Sequence, residues 1–180
     1  MALPSKLFRF KIELSDLDNS VYKSLDFRVA QHPSETLTYL LTRVLAYSLS
    51  FEDGIEFSPT GLADPDAATI RVVGYGGSVN VWIEIGNPSV RKLHKASKAA
   101  KRVKIYTYKD PQVLLNELNS EDIHRKEELE VFSIPPKFLE QLERQIKKEN
   151  KWTLIYQDQS LMVNGEGFDL SCEVGRHQAN

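Results

Sequence analysis

A chain of 180 residues is the size of a single domain, and its 41% apolar and 27% charged content is globular, which excludes an intrinsically disordered chain. A formal net charge of −2 excludes capture of nucleic acid by bulk charge, while leaving room for a local basic strip. One cysteine, Cys172, excludes an internal disulfide and suits a reducing, cytoplasmic setting; no stretch nears the roughly 20 apolar residues of a membrane span, and the opening MALPSKLFR lacks a signal-peptide run.

No repeat, low-complexity tract or Gly-Ser linker interrupts the chain, so one domain over 1–180 is expected, with its core at about 32–134. Leu7–Leu14 and Val21–Ala30, joined by the turn-like SDLDNS, predict an antiparallel strand pair. Pro33 then stops the strand and Ser34 can cap a helix. Over Glu35–Leu49 the residues Leu37, Leu40, Leu41, Val44, Leu45 and Ser48 share one helical side, with Glu35, Tyr39, Arg43 and Ala46 opposite. Phe51–Ala63 reads as a loop or short strand. Ala67–Tyr75 and Val79–Ile85 predict strands around the hairpin signal Gly76-Gly77.

A helix over Pro88–Ala100, a strand over Val103–Tyr108, a helix over Pro111–Leu118 and a strand over Leu129–Ile134 follow. Alternation of this kind predicts parallel strands with right-handed crossovers. Pro136–Glu149 reads as a long charged helix. Trp152–Tyr156, Ser160–Val163 and Phe168–Val174 read as a small antiparallel addition, turning at Asp158-Gln159 and Gly165. The expected class is α/β, in the α+β mixed-sheet sense.

Glu84 is the sharpest local oddity. In VNVWIEIG, Val79, Val81, Ile83 and Ile85 line one strand face and Trp82 joins Glu84 on the other, so both faces look covered. A carboxylate there is costly unless it is paired, hydrogen-bonded or bound to a metal. The bland alternative is an ordinary ion pair at a strand end. Asp64-Pro65-Asp66 is a common turn sequence, yet the hairpin can bring Asp66 near Glu84. Two carboxylates and a main-chain carbonyl, such as that of Ile85, are the hard oxygen donors that suit Mg²⁺. Arg91, Lys95, Lys98 and Arg102 follow at helical spacing. They are either a solvated face or a phosphate-tracking strip, with Lys95 leaning toward the acids to hold a water.

The other candidates carry less. His32, His94, His124 and His177 lack metal-ligand spacing, Cys172 reads as packing, and Gly74–Gly77 is a hairpin turn with no helix after it.

Taken in order, His32-Pro33-Ser34-Glu35-Thr36, Pro65-Asp66, Trp82-Ile83-Glu84-Ile85-Gly86-Asn87-Pro88, Lys95-Ala96 and Tyr106-Thr107-Tyr108 resemble the YaeQ family of small bacterial proteins. The resemblance implies a PD-(D/E)xK, restriction-endonuclease-like core of helix, three strands, helix and strand, with extra N-terminal and C-terminal antiparallel strands. It implies a metal set of Asp66, Glu84 and Glu35, with Arg43 as a supporting residue. It also implies Mg²⁺ as cofactor, with Mn²⁺ as substitute, and a DNA or RNA substrate contacted through Arg91, Lys98 and Arg102. Gly86 stands where active nucleases place lysine, and Lys95 would supply that ammonium from the following helix. The other reading is a catalytically inactive binding or regulatory module of the same fold.

Overall fold

The computed structural model describes residues 4–180. In chain order its elements are β1 (Lys6–Asp16), β2 (Val21–Gln31), α1 (Leu37–Leu49), β3 (Ile55–Phe57), β4 (Ile70–Val73), β5 (Val79–Ile85), α2 (Val90–Ala99), β6 (Ala100–Thr107), α3 (Pro111–Ser120), β7 (Glu130–Ser133), α4 (Pro136–Glu143), β8 (Glu149–Gln157), β9 (Ser160–Gly165), β10 (Phe168–Glu173) and β11 (Gly175–His177). The class is α+β with two mixed sheets, as the patterning predicts. The chain divides into two compact units, residues up to Leu49 with Ile134–Val174, and Ser50–Ser133 with Gly175–Asn180. The expected core of 32–134 draws on both.

The first unit holds a sheet in the order β10-β9-β8-β1-β2. Strand alternation sends Phe10, Ile12 and Leu14 inward and leaves Lys11 and Glu13 in water, and β2 pairs antiparallel with Phe27 opposite Phe10. Helix α1 starts two residues later than expected. Thr36 Oγ1 accepts from Tyr39 N at 3.1 Å and caps it, while Ser34 bonds His32 instead. Its polar side is not exposed either: Arg43 and Ala46 are buried along with the leucines.

Helix α4 ends at Glu143, short of the predicted Glu149. The cause is Asn150, a buried side chain that accepts from Lys147 N and donates to Lys147 O and Arg9 O. Those bonds turn the chain into β8, which runs parallel beside β1. The predicted tail is therefore antiparallel only across β8-β9-β10. Its first turn falls at Asp158 and Gln159 as expected, both with positive φ.

The second unit holds the order β11-β7-β6-β5-β4-β3. β3, β4 and β5 are antiparallel, and β5, β6 and β7 are parallel, as their alternation with α2 and α3 requires. Leu93 and Ala96 of α2 and Leu114 and Leu118 of α3 share a buried cluster with Trp82, Val103, Ile105 and Val131. Strand β4 is shorter than the predicted Ala67–Tyr75. An Asp64 turn holds its approach, with Asp66 N on Asp64 Oδ1 at 2.9 Å, and a register shift at Val72/Val73 ends it. Among the described residues no helix is long and apolar enough to cross a membrane.

Candidate active site

Strand β5 is buried on both faces from Val81 to Ile85, which places Glu84 inside the second unit at 3% exposure. An ionised carboxylate there must be matched by donors. Four are present. Trp82 Nε1 donates to Oε1 at 2.7 Å from two residues back on the same strand face. Thr69, one position before β4, donates its N–H to Oε1 at 3.3 Å and its hydroxyl to Oε2 at 2.9 Å. The ammonium of Lys92 on α2 completes the set, 3.1 Å from Oε2. Oε1 thus accepts two hydrogen bonds, and Oε2 accepts one and faces the ammonium.

Asp66 lies in the same unit, three residues upstream of Thr69, and is 56% exposed. Lys95, one helical turn after Lys92, sits 3.9 Å from Asp66 Oδ1 and donates to its main-chain oxygen at 3.2 Å. Arg91 lies 3.9 Å from the same Oδ1 and is largely in solvent. Helix α2 therefore lays Arg91, Lys92 and Lys95 over both acids. Its start is fixed by Ser89, whose hydroxyl accepts from Lys92 N. Its end is fixed by Arg125, which donates to Ser97 O at 2.6 Å and Ala100 O at 2.7 Å.

Lys92 and Thr69 are the residues that sequence reasoning missed, while Trp82, expected on the Glu84 face, proves to be a donor to it. A signal for Lys92 existed: it precedes buried Leu93 and lies four before buried Ala96, so it borders the covered stripe. Lys95 reaches Asp66, whereas Glu84 is held by Lys92. Arg102 instead pairs with Glu52, and Lys98 is exposed.

Glu35 and Arg43 meet in the first unit, where the guanidinium holds both carboxylate oxygens at 2.6 and 2.9 Å with both side chains buried. Burial pushes the Glu35 carboxyl above its usual range, outweighing the downward pull of Arg43 and His32. Among the described residues no three His, Cys, Asp or Glu side chains form a group able to hold a metal ion.

A two-sheet α+β protein with a lysine-matched acidic centre is the class that these features define. A family profile described as YaeQ protein matches residues 1–174, and the chain belongs to the YaeQ family. It is 30% identical over 109 residues to the YaeQ protein of Escherichia coli (strain K12), and 28% over 108 residues to that of Salmonella typhi. Each match covers 60% of this chain and 59% of the relative, so the chain aligns with under two thirds of those proteins. Across almost the whole chain the fold is similar to the crystal structure of YaeQ from Xanthomonas axonopodis pv. citri, with TM-score 0.89, 24% identity and coverage of 98% and 99%. The crystal structure of YaeQ from Pseudomonas syringae is similar at TM-score 0.88, 24% identity and 99% coverage of both chains. Membership fixes family and fold; it states no reaction.

Proposed function

We propose that this YaeQ-family chain is a cytoplasmic, Mg²⁺-dependent phosphodiesterase or nuclease of the PD-(D/E)xK type, acting on DNA or RNA. The observation that carries the reading is that Asp66 and Glu84 are each met by a lysine of one helix, Lys95 and Lys92, a single turn apart. The chain order α1–β3–β4–β5–α2–β6 is the helix, three strands, helix and strand implied by the resemblance. An acid pair, an ammonium and a nearby basic helix face are the parts that phosphodiester hydrolysis needs.

The donor chemistry fits a hard cation in part through each acid. Asp66 is 56% exposed and meets Arg91 and Lys95 only at 3.9 Å among the described residues, and Glu84 shares Oε2 with Lys92. Mg²⁺ is commonly held by one or two carboxylates, with water and substrate phosphate filling the rest, so a third acid is not required. Asp66 and Glu84 would hold the ion, which would neutralise charge developing on phosphorus oxygens. Lys92 takes the role given to Lys95 beside the second carboxylate, and is placed to orient a water there. Lys95 and Arg91 are placed to receive a substrate phosphate over Asp66.

One observation favours a second reading, a non-catalytic binding module: both oxygens of Glu84 already have protein partners, Trp82 and Thr69 on Oε1 and Thr69 and Lys92 on Oε2. Calorimetric titration with Mg²⁺ and Mn²⁺ separates the two, on wild type, Asp66→Asn and Glu84→Gln, paired with Mn²⁺-dependent hydrolysis of bis(p-nitrophenyl) phosphate. The nuclease reading expects saturable binding and hydrolysis that both variants lose. Hydrolysis that survives Asp66→Asn removes Asp66 from the site, and no metal binding at millimolar concentration with and without phosphodiester, together with no hydrolysis, gives the module reading instead.

A further inference from the structure

Tyr75 stands at the tip of the β4–β5 hairpin with its side chain wholly in solvent. A tyrosine there adds nothing to the core, yet it presents a large flat apolar face with a polar tip. The turn holds its backbone firmly: Gly74 N donates to Ser78 O at 2.8 Å and Gly77 N to Gly74 O at 3.2 Å. Asn80 packs on Gly74 so closely that a Cβ there would come within 2.5 Å of its Nδ2. Beside the tyrosine, Gly76 and Gly77 have φ of +81° and +80°, and a Cβ on either would meet nothing within 4 Å. The ring is thus mounted on a braced turn, with bare backbone next to it.

Helix α2 links this end of the sheet to the acidic centre. It leaves the end of β5 after Glu84 and finishes where Ala100 of β6 pairs with Val79, two residues past the turn. Arg91, Lys95 and Lys98 are exposed and share one face at spacings of four and three. Lys101 continues the series at the hairpin end. From Glu84 to Val79 the strand covers about 17 Å, at about 3.3 Å per residue, a span of a few nucleotides.

We propose that the 74–77 hairpin is a base-stacking platform for single-stranded nucleic acid whose phosphates follow the Arg91–Lys95–Lys98 face of α2. The proposal rests on the phosphodiesterase reading and deepens it by naming the substrate class. A braced aromatic at the end of the sheet where a cationic helix face finishes is a combination suited to single strands with little sequence preference, because every unpaired base has a free π-face. Duplex DNA keeps those faces stacked, so Tyr75 selects against it.

The test is fluorescence anisotropy of a labelled 20-nucleotide oligo-dT, in EDTA so that no metal-dependent step intervenes. Tyr75→Ala is expected to weaken binding about 5- to 150-fold, and Tyr75→Trp to restore it. Lys98→Ala is expected to lower the slope of log K against log salt by about 0.7, while Tyr75→Ala leaves that slope unchanged. Equal affinity of wild type and Tyr75→Ala overturns the proposal, as does equal loss on duplex of the same length. Absence of oligo-dT binding at low salt overturns it too, and makes a protein partner the better occupant. Hydrolysis of bis(p-nitrophenyl) phosphate separates the two ideas. If Tyr75→Ala keeps it and binds oligo-dT like wild type, only the stacking platform fails; if Tyr75-dependent binding occurs with no hydrolysis, only the phosphodiesterase reading fails.

Discussion

The ammonium of Lys92 lies 3.1 Å from Oε2 of Glu84, with the lysine side chain 19% and the glutamate 3% exposed. This is a charge pair mostly withdrawn from water, so each partner depends on the other. Replacing Lys92 by Met leaves Glu84 with only neutral donors from Thr69 and Trp82. The expected cost is about 2–4 kcal/mol of unfolding free energy in urea titrations. Adding Glu84→Gln to Lys92→Met should recover part of it, giving a double-mutant coupling of about 1–3 kcal/mol. Purely additive losses would mean that the two side chains do not act as a unit.

Gly86 explains why no lysine stands two places after Glu84. Its φ is +81°, in the left-handed region that disfavours side chains, although a Cβ would find only ordinary contact with Tyr108 at 3.7 Å. Gly86→Ala and Gly86→Lys should each lower stability by about 1–2 kcal/mol through backbone strain, and Gly86→Asn by less. Equal stability of Gly86→Lys and wild type in thermal melts would remove the backbone explanation.

Where periodicity decides structure, the sequence was informative. Strand β5 begins and ends where its alternation predicts, and the parallel run β5-β6-β7 follows from helices placed between strands. What escaped was set by tertiary contacts between residues far apart in the chain. Asn150 bonding Arg9 O cut α4 short, and no helical pattern contains that information. Glu84 was legible as an acid needing partners, but the choice of Lys92 over Lys95 depends on the rotation of α2 upon β5, within about one residue's turn. Glu35 looked like the exposed side of a helix, because enclosure of α1 on both sides leaves no trace in an amphipathic pattern.

Cys172 is half-buried on β10, and burial pushes its thiol up to about 12. At pH 8.5 its thiolate fraction should be lower than that of an unburied cysteine by roughly a thousandfold, since each pKa unit is a factor of ten. Folded protein mixed with a disulfide reagent at that pH should therefore react far more slowly than protein in concentrated urea. Prompt stoichiometric reaction in the folded state would show that the thiol is open and activated.

Glu35 links the first unit to pH. Its folded carboxyl titrates above the ordinary 4.5 because desolvation outweighs Arg43. Between 4.5 and that raised value the folded state binds more protons than the unfolded one, so stability falls as pH rises through the window. The stability linked to this group is therefore fully present below 4.5 and is lost as pH rises through the raised folded value. Glu35→Gln cannot titrate there. Urea midpoints from pH 7 down to pH 4.5 should show wild type gaining relative to Glu35→Gln. Parallel curves, or a wild type that loses ground as pH falls, would mean that Arg43 holds the carboxylate charged at 2.6 Å strongly enough to outweigh its burial.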